Sequence, residues 1–225
     1  MKSLSYILLF VLIISSAFCA ASCTFKEDAD TPPQDPDGTL SGCLFIGDSR
    51  TYGLEMTNSL PDAEYFCYTG WTVYHALSET LYVDGEYYTL SELLSSRDYR
   101  KIYVLLGINE ISYDLDAVTE KFSELISLIR SCQPDAKIII QANLHVTTAR
   151  SSLGDAYNNN NVDLLNQKLY GLTDDKTVFW LDANQILDDS SGGLREEYAE
   201  EDGIHPNADC YSIWGEWITS QNRMY

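Results

Sequence analysis

The chain is poor in positive charge. Fourteen Lys and Arg stand against 34 Asp and Glu over 225 residues, for a net charge of −20. A surface of that sign is repelled by phosphate backbones and by anionic lipid headgroups, which argues against nucleic acid as a partner. Histidine is scarcer still, with three residues: His75, His145 and His205. The six cysteines form no C-x-x-C pair, and no His, Cys and carboxylate residues fall at ligand spacing, so neither a metal nor a cofactor is expected. Internal repeats are lacking too. The N-terminal apolar run, Ile7 to Ile14, is shorter than the roughly 20 residues that a membrane-spanning helix takes.

What that run has is the make-up of an export signal over residues 1–22. Lys2 precedes it, and the small residues Ser15-Ser16-Ala17 and Ala20-Ala21-Ser22 follow. Ala20-Ala21-Ser22-Cys23 resembles a bacterial lipobox, with Ala20 where Leu is usual, so Cys23 is the expected lipidation site. Residues 23–41 are polar and rich in Asp and Pro, too apolar-poor to fold alone, and read as a disordered tether. The expected product is an exported bacterial protein, anchored at the cell surface by lipid or secreted, whose only membrane contact is the anchor. Residues 42–225 then form one domain.

Within that domain apolar strand runs alternate with helical patterns. Strands are expected at Leu44–Gly47, Glu64–Tyr68, Lys101–Leu106, Lys137–Gln141 and Thr177–Leu181. They show little apolar/polar alternation, as in a parallel sheet covered on both faces. Helices are expected over Thr51–Asn58, about Asp116–Cys132, about Asn161–Leu172 with Leu164, Leu165 and Leu169 inward, and from Asn207 on, burying Ile213, Trp214, Trp217 and Ile218. The fold class is therefore α/β, a three-layer sandwich around five parallel strands, flavodoxin-like. The aromatic stretch Leu81 to Thr89 breaks the rhythm and reads as a packed surface hairpin. Cys43 and Cys67 fall on neighbouring strands, where buried thiols are expected rather than a bridge.

Two stretches carry chemistry. In Phe45-Ile46-Gly47-Asp48-Ser49-Arg50 a serine sits where a strand turns into a helix, at the sheet edge where open α/β folds place their sites. In Asp202-Gly203-Ile204-His205 a carboxylate and an imidazole share one short loop. A serine hydroxyl needs a base to take its proton, and the base works best when a carboxylate orients it and stabilises the imidazolium. Ser49, His205 and Asp202 are the candidate nucleophile, base and orienting acid. His145, which also follows a strand, is the rival base or a substrate contact, and Asp182 a rival carboxylate. His75 is expected to be structural.

With these residues the chain resembles the SGNH, or GDSL-type, esterases and acylhydrolases. The family's Gly-Asp-Ser block is matched by Gly47-Asp48-Ser49, its lone glycine by Gly70, its Gly-x-Asn-Asp block by Gly107-Ile108-Asn109 with Glu110 in place of Asp, and its Asp-x-x-His by Asp202 to His205. The resemblance implies an oxyanion hole made of the Ser49 and Gly70 backbone N–H groups and the Asn109 amide. Arg50 and Glu110 depart from the family pattern, and both are expected to contact substrate. Trp71, Tyr74, Tyr87 and Tyr88 are candidate rim aromatics. The implied activity is hydrolysis of carboxylic esters on a small molecule or glycan, with glycan-bound acetyl groups the leading candidate. The alternatives are a lipase or lysophospholipase, an acyl transferase with the same triad, and a non-catalytic binding protein on the same fold.

Overall fold

The computed structural model describes residues 39–225. The expected signal segment, Cys23 and most of the expected tether lie outside the described residues. In chain order the elements are β1 (Cys43–Gly47), α1 (Ser49–Met56), β2 (Glu64–Cys67), α2 (Val73–Ser78), β3 (Thr80–Val83), β4 (Glu86–Thr89) and α3 (Leu90–Ser96). They continue with β5 (Lys101–Leu105), α4 (Leu115–Cys132), β6 (Lys137–Gln141), α5 (Thr148–Ser151), α6 (Asn159–Tyr170), β7 (Val178–Leu181), α7 (Asn184–Leu187) and α8 (Ala208–Gln221).

Five strands form one parallel sheet in the order β2-β1-β5-β6-β7. The alternation of the pleat divides their side chains between two cores. Leu44, Ile46, Ile102, Val104, Ile138 and Ile140 face α2, α3, α4 and α6. Cys43, Phe45, Tyr103, Leu105 and Ile139 face α1, α7 and α8. This is the expected three-layer sandwich, and it explains the uniformly apolar strands: each side of the sheet is covered by helices.

Because every strand runs the same way, all the carboxyl ends lie along one edge. Ile46, Val104, Ile140 and Trp180 stand in one register row across β1, β5, β6 and β7, one residue short of that edge. The loops that carry Ser49, Asn109 and His145 all leave from that edge.

Two helices differ from expectation in which face they bury. α6 starts earlier, capped by Asn158, and its buried stripe is Val162, Leu165 and Leu169. Leu164 is solvent-exposed, because it stands about 200° around the helix from Val162. In α8 the buried residues are Cys210, Tyr211, Trp214, Gly215 and Ile218, leaving Ile213 exposed and Trp217 half-buried. The aromatic stretch is an antiparallel hairpin of β3 and β4, turning at Asp84-Gly85, both at positive φ. Its Leu81, Val83 and Tyr88 pack against the first core. Cys43 and Cys67 are both buried, and among the described residues no disulfide joins them. No helix among the described residues is long and apolar enough to cross a membrane.

Candidate active site

Ser49 opens α1 rather than preceding it. Asp48 is the N-cap, its carboxylate accepting the Arg50 N–H at 2.9 Å, so Ser49 stands in the first turn of a helix, at its positive end. From there Ser49 Oγ meets His205 Nε2 at 3.0 Å. His205 Nδ1 meets the Asp202 carboxylate at 2.6 Å. The other Asp202 oxygen accepts the backbone N–H groups of Ile204 and His205, at 2.8 and 2.9 Å. Burial acts to raise the Asp202 carboxyl, but the bonds from the His205 ring and from these two N–H groups outweigh it and hold the carboxyl below its ordinary value. Asp202 is thus an anion with one face on the imidazole and the other tied into its own loop.

The loop takes that shape because Gly203 sits at φ +67°, a left-handed conformation. A side chain there would also run into Arg150 Cβ and Thr147 Oγ1, each 2.8 Å from the place of a Cβ. A two-residue detour through Gly203 and Ile204 therefore lets Asp202 and His205 face each other.

Gly70 lies at φ +75° on the exposed loop after β2, with no atom within 4 Å of the place a Cβ would take. Asn109 Nδ2 donates to Trp71 O at 2.7 Å, which holds the amide beside the Gly70 loop and leaves its second N–H for another acceptor. Among the described residues the N–H groups of Ser49 and Gly70 bond no protein acceptor.

Each of the four expected substrate contacts has partners within the protein. Arg50 is wholly buried; its Nη1 donates to Leu144 O at 3.0 Å and its Nη2 to Ile204 O at 3.1 Å. Glu110 is also wholly buried, with Oε1 accepting the Val73 N–H at 2.6 Å. Trp71 turns into the core, edge-on to Phe66. His145 has both ring nitrogens engaged by carboxylates, Nδ1 by Asp188 at 2.7 Å and Nε2 by Asp163 at 3.0 Å. That leaves no lone pair for a substrate proton. Burial lowers the His145 pKa, but the two aspartates outweigh it and the value is raised. Asp182 accepts the Asn184 N–H at 3.0 Å, just ahead of α7. His75 closes a capping box with Thr72 at the start of α2.

Two carboxyls next in the chain to Ser49 and Asn109 are buried, those of Asp48 and Glu110. Burial pushes Asp48 up to about 6 against the pull of the Arg50 charge, and pushes Glu110 up to about 7, with the Asp48 charge adding to the rise. One oxygen of each has no hydrogen-bond partner in the protein. Sequence reasoning missed Asp48 as a buried group and missed Asp163 and Asp188 altogether. The partners of His145 lie 18 and 43 residues away in the chain, with no local pattern to announce them. Among the described residues no group of three or more His, Cys, Asp or Glu is placed to hold a metal ion.

Ser49, the Gly70 loop and Asn109 all follow carboxyl ends of strands in a parallel α/β sandwich, and the protein is a carboxylic ester hydrolase. More narrowly, residues 45–213 match the GDSL-like lipase/acylhydrolase family, and the chain belongs to that family. No curated protein matches it. Several solved structures share the fold. A GDSL-like lipase from Bacteroides thetaiotaomicron is 16% identical, with a TM-score of 0.60 over 81% of this chain and 87% of that one. A carbohydrate acetylesterase family member from Sinorhizobium meliloti is 15% identical, with a TM-score of 0.54 over 81% and 97%. A carbohydrate esterase family 3 protein from Talaromyces cellulolyticus is 15% identical, with a TM-score of 0.54 over 81% and 94%.

Proposed function

We propose that the protein is a serine esterase acting through Ser49, His205 and Asp202, and that its substrates are small acyl esters carried on sugars. The observation that carries this reading is the relay of two short contacts, Ser49 to His205 at 3.0 Å and His205 to Asp202 at 2.6 Å. In the first half-reaction Ser49 Oγ bonds to the ester carbonyl carbon while its proton passes to His205 Nε2. The negative charge that develops on the carbonyl oxygen is met by the Ser49 and Gly70 N–H groups and the free Asn109 N–H, each such donor supplying roughly 10²–10³ in rate. The tetrahedral adduct collapses as the bond to the alkoxy oxygen breaks, and His205 returns the proton to the leaving alcohol. A water then repeats the sequence on the acyl-serine, releasing the acid and restoring Ser49. Asp202 holds the ring with Nδ1 protonated and Nε2 basic, and stabilises the imidazolium that forms twice per turnover.

A sugar-borne substrate is supported by the aromatics beside the site. Tyr68 on the Gly70 loop and Tyr113 after Asn109 are exposed, and Tyr113 lies 6.3 Å from Tyr74, ring to ring. Such rings suit a sugar face better than a long acyl chain. Two of the structures that share the fold are of carbohydrate esterases. The experiment is a fluorophosphonate label on the wild type, Ser49→Ala and His205→Ala, run beside p-nitrophenyl esters from acetate to palmitate and acetylated glycans. Labelling that depends on Ser49, with turnover falling steeply beyond short acyl groups, is expected. Labelling that survives Ser49→Ala would refute the nucleophile, and a palmitate optimum would transfer the reading to a lipase.

The place of action proposed is the cell surface, through a lipid on Cys23. Cys23→Ala is expected to move the protein from the membrane fraction to the medium, and unchanged fractionation would refute the anchor.

A further inference from the structure

The first turn of α1 sends two neighbouring side chains to the same loop. Ser49 Oγ reaches His205 Nε2, and the next residue, Arg50, reaches the carbonyl of Ile204, which immediately precedes His205. The other arm of the guanidinium holds Leu144 O, in the segment that follows β6. Arg50 is wholly buried and its Nε has no partner. Burial pulls its pKa down, while the negative charge of Asp48, with those of Tyr211, Asp202 and Cys210 when ionised, acts the other way. Burying a cation costs several kcal/mol, so a residue needed only to fill this space would be apolar.

The catalytic loop needs such an outside hold. Among the described residues Asp202 bonds only within its own loop, to Ile204 and His205. Three successive carbonyls of the loop are held: Gly203 O accepts the Thr147 N–H at 2.9 Å, Ile204 O accepts Arg50, and His205 O accepts the nearby Glu200 N–H at 2.8 Å, so that Thr147 and Arg50 are the holds from distant parts of the chain.

We propose that Arg50 is a positioning residue, which sets the Ser49–His205 distance by pinning the Ile204 carbonyl to the helical turn that presents the nucleophile. The chain from Ser49 to Arg50, across to Ile204, on to His205 and back to Ser49 is a closed ring with two covalent links and two hydrogen bonds. A ring that small transmits any slack at Arg50 directly to the Ser49–His205 contact. A planar guanidinium can hold Leu144 O and Ile204 O at once, whereas a lysine ammonium on a flexible stem is a point charge without that fork. A misplacement of about 1 Å between reacting groups costs on the order of 10²-fold in rate.

The inference rests on His205 being the base, and the test keeps the two apart. Arg50→Met and Arg50→Lys are made in the full chain, each alone and with His205→Ala, and hydrolysis of p-nitrophenyl acetate is measured well below the melting temperature of each variant. Arg50→Met is expected to lower kcat on the order of 10²-fold with KM changed by less than about threefold, and Arg50→Lys to fall between it and the wild type. In the His205→Ala background either substitution is expected to cost less than about threefold more, because a group that acts through His205 has nothing left to position. Undiminished kcat in folded Arg50→Met, with His205→Ala inactive, would overturn this inference alone. Losses that multiply in the double variant would overturn it too. Full turnover in His205→Ala would overturn the assignment of the base and this inference with it. Should Arg50→Met fail to fold, Arg50→Lys is read by the same criteria.

Discussion

Replacing Glu110 by Gln should make the protein more stable, but only above about pH 5. Glu110 Oε1 accepts the Val73 N–H at 2.6 Å and Oε2 has no protein partner. Glutamine keeps the accepting oxygen and the volume, and cannot ionise. Burial, aided by the Asp48 charge, raises the native carboxyl from 4.5 to about 7, even though the Val73 bond favours the charged form. The unfolded chain releases this proton near its ordinary value, while the native chain keeps it. Below about pH 4.5 both states are protonated and the group adds nothing. Between 4.5 and about 7 the native state binds more protons than the unfolded one, so stability falls as pH rises, and above about 7 the whole penalty is present. At about 1.4 kcal/mol per pH unit that penalty is about 3 kcal/mol, or roughly 6–12 °C in Tm for a domain of this size. Thermal melts followed by circular dichroism at pH 4 to 8.5 measure it. Glu110→Gln and wild type should melt together at pH 4 and diverge by several degrees at pH 8, the variant higher. A difference that does not change with pH, or a variant that melts lower at pH 8, would refute the reasoning.

Asn109→Ala should lower kcat by roughly 10²–10³ with little change in KM, as befits a donor used only when charge develops; loss confined to KM would make Asn109 a substrate-binding group instead. Gly203→Ala forces a side chain into left-handed backbone at about 1–2 kcal/mol and against Thr147 and Arg150, so steady-state kinetics and melting should both suffer, and a variant with full kcat would show that the loop geometry is not needed. His145→Ala should lower Tm more at pH 5 than at pH 9. The raised His145 pKa means that the imidazolium bridge to Asp188 and Asp163 is fully present below the ordinary 6.5 and is lost as pH rises through the native value; an equal loss at both pH values would mean packing alone.

The features readable from the chain are those made by contiguous residues. The apolar runs place β1, β5 and β6 at the centre of the sheet, since a run of four or five buried residues between turn signals has few other uses. Asp202 and His205 belong to one loop, so their pairing requires only a turn. Their meeting with Ser49, 156 residues away, follows from the parallel sheet, which brings successive strand ends to one edge. The fate of individual polar residues was decided elsewhere. Arg50 beside Ser49 and Glu110 beside Asn109 have the character of groups that greet a substrate, and both are buried instead. Their hydrogen-bond partners are backbone groups 37 to 154 residues distant: the carbonyls of Leu144 and Ile204 for Arg50, and the Val73 N–H for Glu110. His145 likewise became an ion-bridged strut because α6 and the end of α7 bring carboxylates to both its nitrogens. Whether a charge can leave water depends on the partners waiting for it. The sequence determined the layers and the edge, and put Asp202 and His205 in one loop; which of the neighbouring charges turn inward was settled only when tertiary packing supplied those partners.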